Sequence, residues 1–98
     1  MNPVVQTGDA LLDVRALSKL RWRCRRGLLE NDLFIAQFFE RYDKTLNIRQ
    51  ADALGVLMDL SDNDLLDLFL ARKSLSQVEP TLDSADFQEI LKMVRKTR

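Results

Sequence analysis

The segment at residues 28–42, LLENDLFIAQFFERY, has the apolar pattern that decides the fold of this 98-residue chain. Its apolar residues recur every three or four positions, which is the period of an α-helix. They cover more than half of the circumference of such a helix. A surface helix buries only one stripe, so we expect this helix to be the central and most buried one.

The same period predicts four more helices around the central one. The first covers residues 11–26. The third begins at Asn47, because the side chains of Asn47 and Gln50 fit the pattern of a capping box. The fourth begins at Ser61, which is a favourable capping residue, and the fifth covers residues 84–96.

The remaining segments are predicted to be loops and a tail. KSLSQVEPTLDS, at residues 73–84, is expected to be a loop, and residues 1–10 to be a flexible N-terminal tail. Short connections elsewhere favour mostly antiparallel neighbours. We therefore predict an all-α fold, a small five-helix bundle with mostly antiparallel neighbours, as a single domain at residues 11–98.

The charges are unevenly spread although the formal net charge is zero. Residues 15–26 hold six cations and no acid, whereas residues 27–98 hold thirteen acids and nine cations. A basic first helix on an acidic body can steer a charged partner even without a net charge.

The residue types exclude most catalytic chemistry. The chain has no histidine, which removes the usual general base and the commonest metal ligand. A single cysteine can form neither a zinc site nor an internal disulfide. The acidic segment at residues 59–67, DLSDNDLLD, lacks the glycine and glutamate of a calcium loop, and Asp62 and Asp64 fit the first turn of a helix instead. We expect neither an enzyme nor a metal site.

The same composition favours a cytoplasmic protein. One unpaired cysteine fits a reducing compartment. The N-terminal residues lack the basic start and apolar core of a secretory signal, and the longest apolar run is too short to span a bilayer.

The segment at residues 20–30, LRWRCRRGLLE, has two interpretations. In the structural one, Gly27 ends the first helix in a left-handed conformation and Trp22 packs on the bundle. In the functional one, Gly27 leaves room for the backbone of a partner. Arg26 and Glu30 would then make charge-assisted hydrogen bonds across the interface.

The density of cations at residues 15–26 favours an external partner, since six cations within twelve residues repel one another. Nucleic acid is one candidate, because arginines with an interleaved tryptophan suit phosphate contacts and base stacking. A protein is the other, and the acidic remainder of the chain, which would repel a polyanion, favours it. Cys24, at helical spacing from Leu17 and Leu20, is expected to be a small core residue.

The stretch LRWRCRRGLLENDL, at residues 20–33, resembles the signature of the succinate dehydrogenase assembly (flavinylation) factor family, called SdhE in bacteria. The hallmark of that family is Arg-Gly-x-x-Glu, which here consists of Arg26, Gly27 and Glu30. A Trp-x-Cys-Arg motif that starts at Trp22 precedes it.

The resemblance continues through FFERYD and LSDNDLLDLFL and covers residues 17–72. The chain departs from the family pattern at Leu68 and Ala71, where many relatives carry tryptophan and glycine. Some members are also labelled antitoxin CptB, which leaves an antitoxin-type regulator as a further alternative.

The resemblance implies a small helical protein of the cytoplasm or mitochondrial matrix. Such a protein binds the flavoprotein subunit of succinate dehydrogenase, and often that of fumarate reductase, and promotes covalent attachment of FAD to a histidine there. FAD belongs to the partner, so we expect no cofactor in this chain. We also expect the protein to be a monomer. Arg26, Gly27 and Glu30 would contact the flavoprotein near its flavin, with Trp22 and Arg25 beside them.

Overall fold

The computed structural model describes residues 9–25 and 27–96. This part of the chain forms six α-helices and one 3-10 turn: α1 (Val14–Arg23), α2 (Leu29–Tyr42), α3 (Ile48–Leu57), α4 (Asp62–Phe69), α5 (Leu75–Val78), the 3-10 turn (Pro80–Leu82) and α6 (Ala85–Lys96). Leu11 and Asn47 form an isolated antiparallel bridge, and the described residues contain no β-strand. The predicted all-α bundle is confirmed.

Helix α1 is shorter than the predicted span of residues 11–26. It begins after Asp13, whose Oδ1 accepts a hydrogen bond of 2.7 Å from the amide of Ala16. Upstream of that cap, the amide of Leu12 donates to the carbonyl of Leu46 at 3.0 Å. The chain before α1 therefore pairs with the α2–α3 connection and does not extend the helix.

The segment at residues 73–84 contains α5 and the 3-10 turn, so the prediction of a plain loop there was wrong. Gln77 Oε1 accepts a hydrogen bond of 2.8 Å from the amide of Ser74, and Leu75 is buried. A local cap and one buried side chain stabilise a single helical turn. Residues 1–8 of the expected tail lie outside the described residues, and the division between tail and domain stays a prediction.

Helix α2 packs against α4 and α6 and supplies much of the core. Its buried face consists of Asn31, Phe34, Ile35, Phe38 and Phe39. The ring of Phe34 lies 5.4 Å from that of Phe69 in α4, which joins the two helices through an aromatic contact.

The opposite side of α2 is not buried, although the sequence predicts burial around more than half of this helix. Leu29 is 67% exposed and Leu33 is 53% exposed. Helices α4 and α6 cover one face of α2 only, so these two leucines remain at the surface.

The predicted caps of α3 and α4 are both confirmed. Asn47 Oδ1 accepts from the amide of Gln50 at 2.8 Å, and Gln50 Oε1 accepts from the amide of Asn47 at 3.0 Å. Ser61 Oγ accepts from the amide of Asp64 at 3.2 Å. These hydrogen bonds satisfy amides that the first turn of a helix leaves without partners.

Helix α4 ends in a Schellman motif around Ala71. The amide of Ala71 donates to the carbonyl of Leu68 at 3.1 Å, and the amide of Arg72 donates to that of Asp67 at 2.8 Å. Ala71 has φ of 59°, the left-handed region in which glycine is unstrained and alanine is not. The departure from glycine at this position therefore leaves backbone strain at the end of α4.

We predict that Ala71→Gly raises the free energy of unfolding by about 0.5–1 kcal/mol, because it removes the left-handed strain. Urea denaturation at constant pH measures the change. Ala36→Gly is the matched control, since the same exchange in the right-handed interior of α2 should lower that free energy by about 1 kcal/mol. Destabilisation by both substitutions would contradict the assignment of strain to Ala71.

Candidate functional site

The connection between α1 and α2 does not have the geometry predicted for Gly27. Helix α1 ends at Arg23, and the cap residue Cys24 has φ of −84° and ψ of 1°. The amide of Cys24 still donates to the carbonyl of Leu20 at 3.0 Å. No described glycine has a positive φ, so the prediction that Gly27 ends the helix in a left-handed conformation was wrong.

Cys24 anchors this connection in the core. Its side chain is completely buried, which confirms its prediction as a small core residue. The cap residue of α1 thus lies in the core, three residues before Gly27.

Two of the arginines before Gly27 have carboxylate partners within the chain. Arg21 contacts Asp43 at 3.0 Å and lies 5.2 Å from the centre of the Phe39 ring, and Arg23 contacts Asp59 at 3.1 Å. All four charged groups are at least partly exposed, so each pair contributes no more than about 1 kcal/mol to stability. Repulsion among the six cations is therefore relieved in part within the chain, and not all of them need an external partner.

Trp22 lies at the surface and does not pack on the bundle, contrary to its structural interpretation. It is 71% exposed, and the guanidinium carbon of Arg25 lies 4.9 Å from the centre of its ring. This cation–π contact holds two of the expected site residues side by side.

Trp22 and Arg25 line a groove between α1 and α2 with a volume of about 790 Å³. Asp32, Ile35 and Phe39 line it from the α2 side. The groove is open and combines an aromatic ring, a cation and apolar surface, which is a composition typical of protein interfaces.

Gly27 is exposed, and nothing within the described part of the protein fills the space beside it. A Cβ atom built on Gly27 would have Asp62 Oδ2 as its nearest neighbour, at 4.0 Å. The φ of Gly27 is not positive, and an added methyl group would fit among the described residues that are not adjacent to it in the chain, so neither its conformation nor this packing requires a glycine.

Glu30 is exposed in the first turn of α2, where the helix dipole favours an acid. It lines a second groove, of about 430 Å³, between α2 and α4. Leu33, Leu66 and Leu70 form the apolar part of that groove, and Arg72 is a charged lining residue. Glu30 therefore adjoins an apolar surface.

Asn31 is a residue that the sequence analysis missed. It is fully buried, and its Nδ2 donates to the carbonyl of Asp62 at 2.9 Å and to Asp62 Oδ1 at 3.2 Å. Its Oδ1 is buried without a hydrogen bond among the described residues, which costs about 1–3 kcal/mol. Its position three residues before Phe34 and four before Ile35, on the apolar stripe of α2, was the available signal.

The structure brings four of the five expected site residues to the end of α1, the linker and the start of α2: Trp22, Arg25, Gly27 and Glu30. We call these four residues the docking corner. Arg26 lies outside the described residues. Within residues 9–25 and 27–96, no group of three or more cysteine or acidic side chains is placed to hold a metal ion. No described helix is both long and apolar enough to cross a membrane.

A family model described as Sdh5, flavinator of succinate dehydrogenase, matches residues 18–98. The chain belongs to this family. The match includes the whole docking corner of the Sdh5-family chain, and it confirms the resemblance that residues 20–33 indicate.

Curated relatives of this Sdh5-family chain include the FAD assembly factor SdhE of Ralstonia nicotianae, 45% identical over 83 residues, or 85% of the chain and 84% of the relative. The FAD assembly factor SdhE of Coxiella burnetii is 30% identical over 81 residues, or 83% of the chain and 90% of the relative. The mitochondrial succinate dehydrogenase assembly factor 2 of Lodderomyces elongisporus is 27% identical over 96 residues, 98% of the chain but 56% of the relative. No solved structure matches the chain significantly.

We predict that Trp22→Ala changes the free energy of unfolding by less than about 1 kcal/mol, because the ring is exposed and its cation–π contact with Arg25 is weak at a surface. Chemical denaturation followed by circular dichroism measures this, since the variant lacks the tryptophan fluorophore. Phe38→Ala is the contrasting control, because it removes a fully buried ring and should cost about 3–5 kcal/mol. A loss of similar size in both variants would show that Trp22 stabilises the bundle.

Proposed function

We propose that this chain is an assembly factor that binds the flavoprotein subunit of succinate dehydrogenase and promotes covalent attachment of FAD to it. Membership of a family described as the flavinator of succinate dehydrogenase supports this function. The flavoprotein of fumarate reductase is a second proposed partner. The docking corner, together with Arg26, forms the proposed binding site.

Gly27 is the single observation that carries the site assignment. The free protein would tolerate a larger residue at this exposed position. A glycine that the fold does not need is explained by close approach of a partner. Glu30, Trp22 and Arg25 then supply a carboxylate, an aromatic ring and a cation around the point of contact.

The proposed mechanism is a population shift. The factor binds one conformation of the flavoprotein more tightly, namely the one in which bound FAD and the acceptor histidine are placed to react. The chain itself has no histidine, so the acceptor belongs to the partner. In this proposal the factor is not an enzyme, has no cofactor of its own and acts on FAD that its partner binds.

We also propose that the protein is a cytoplasmic monomer that does not insert into membranes and does not bind nucleic acid. The pairs Arg21–Asp43 and Arg23–Asp59 support the last point, since they neutralise part of the basic segment at residues 15–26. Arg25 lies over the Trp22 ring at the docking corner.

We predict that Gly27→Val and Glu30→Ala each lower affinity for the purified flavoprotein subunit about 30-fold, the effect of losing a hot spot of about 2 kcal/mol. Valine fills the space that a partner would occupy, and alanine removes the interfacial carboxylate. Isothermal titration calorimetry measures affinity. In cells that lack the native factor, in-gel fluorescence measures covalent flavin, which should fall accordingly.

Glu89→Ala is the matched control for this experiment, because Glu89 is exposed on α6 and is not part of the docking corner. It should leave affinity and flavinylation unchanged. The site assignment is wrong if folded Gly27→Val and Glu30→Ala variants retain wild-type affinity. The function itself is wrong if the wild-type chain neither binds the flavoprotein nor restores covalent flavin.

We predict no saturable binding of labelled RNA or duplex DNA at low ionic strength, measured by fluorescence anisotropy. Low salt favours contacts between cations and phosphates, so it is the most sensitive condition. The double variant Asp43→Asn/Asp59→Asn releases Arg21 and Arg23 from their carboxylates and tests whether those acids suppress such binding. Wild-type affinity that weakens steeply with added salt would favour the nucleic-acid function.

A further inference from the structure

Asn31 differs from every other described residue of the core, because it is the one buried residue there with a polar side chain. It follows Glu30 directly in α2 and lies on the same face as Phe34, Ile35 and Phe38. An apolar residue of similar size would fit that face and would remove a buried oxygen that has no hydrogen-bond partner among residues 9–25 and 27–96. Stability of the bundle alone therefore does not explain the asparagine.

The hydrogen bonds of Asn31 lead to the residue that adjoins Gly27. Asn31 Nδ2 donates to Asp62 Oδ1 at 3.2 Å and to the carbonyl oxygen of Asp62 at 2.9 Å. The other carboxylate oxygen, Oδ2, is the nearest neighbour of the space beside Gly27. One carboxylate at the start of α4 thus lies between Asn31 and the linker.

Asp62 therefore bonds to α2 and lies beside the linker, so its position concerns three segments of the docking corner. Asn31 is in the first turn of α2, Asp62 is the first residue of α4, and Gly27 is in the linker that joins α1 to α2. A displacement of Asp62 relative to α2 would change the protein surface beside Gly27. It would also move the α4 residues that line the groove beside Glu30.

We infer that Asn31 is a positioning residue for flavoprotein binding. Its two hydrogen bonds to Asp62 hold the start of α2 against the start of α4, and so set the position of the Asp62 carboxylate, beside Gly27, relative to Glu30. Asn31 is buried and does not touch the partner. This inference rests on the proposed function of the docking corner.

The decisive variant is Asn31→Leu, which removes both hydrogen bonds and the unpaired oxygen while keeping a side chain of similar volume. We expect its urea midpoint to equal or exceed that of the wild type, and its affinity for the purified flavoprotein subunit to fall at least tenfold. A merely structural role predicts that affinity follows stability. Unchanged affinity, within twofold of wild type, would overturn the inference.

Leu91→Ala is the matched control for stability. Leu91 is buried in α6 and is not part of the docking corner, so this variant should have a lower urea midpoint but wild-type affinity under conditions in which it is folded. Amide hydrogen exchange provides a readout that needs no partner. Asn31→Leu should speed exchange at least tenfold at the amides of Asp32 and Leu65, which donate to the carbonyls of Leu28 and Ser61 at the starts of α2 and α4, whereas Leu91→Ala should not affect these amides selectively.

If Asn31→Leu does not fold, exchanging the side chains of Asn31 and Asp62 provides a second test. Asn31→Asp places two carboxylates together and should weaken flavoprotein binding at least tenfold. Adding Asp62→Asn restores a side-chain donor and acceptor with their places exchanged. The double variant should recover at least a third of the affinity for the flavoprotein that Asn31→Asp loses. No recovery in the double variant would contradict the inference.

Titrations of the wild type and of Gly27→Val distinguish a failure of the proposed function from a failure of the positioning role of Asn31. If the wild type binds the flavoprotein and Gly27→Val does not, the docking corner is supported whatever Asn31 does. If the wild type does not bind, the proposed function fails first. Wild-type binding with unaffected Asn31→Leu removes the positioning role alone.

Discussion

Helix α2 buries one aromatic face against α4 and α6, and the remaining architecture depends on this contact. Phe38 is completely buried, with ring centres 5.4 Å from Phe39 and 5.3 Å from Tyr42, and Phe34 extends the contact to Phe69 in α4. Protein interiors are close-packed, so α2 cannot rotate or slide without opening a cavity. The first turn of α2 is therefore held in place, and with it the end of the linker that carries Gly27.

The arginines of the basic segment differ in what they contact. Arg21 and Arg23 reach carboxylates on the bundle, whereas Arg25 lies over the exposed ring of Trp22. Exposed ion pairs contribute little to stability, so the arginine density is not primarily a device for holding the fold. Its main consequence is a surface on which charge, an aromatic ring and an accessible glycine lie close together.

Local chemistry explains which predictions from the sequence were correct. The caps at Asn47 and Ser61 involve side chains and amides only three residues apart, so the sequence pattern contains the whole interaction. The end of α1 was predicted wrongly, because the helix ends at Arg23 with Cys24 as its cap and not at Gly27. Trp22 was misplaced in one interpretation because helical periodicity indicates a face but not whether another helix covers it.

The all-helical class, the capped helix starts and the family motif could all be predicted from residues that lie close together along the chain. The pairing of the arginines, the exposure of Trp22 and the contact between Asn31 and Asp62 became visible only in the folded bundle. These features differ from the first group in sequence separation. The Arg21–Asp43, Arg23–Asp59 and Asn31–Asp62 contacts join residues 22, 36 and 31 positions apart, and these meet only after the helices pack. Helical periodicity predicts the neighbours of a residue within its own helix, whereas the docking corner depends on neighbours from other helices.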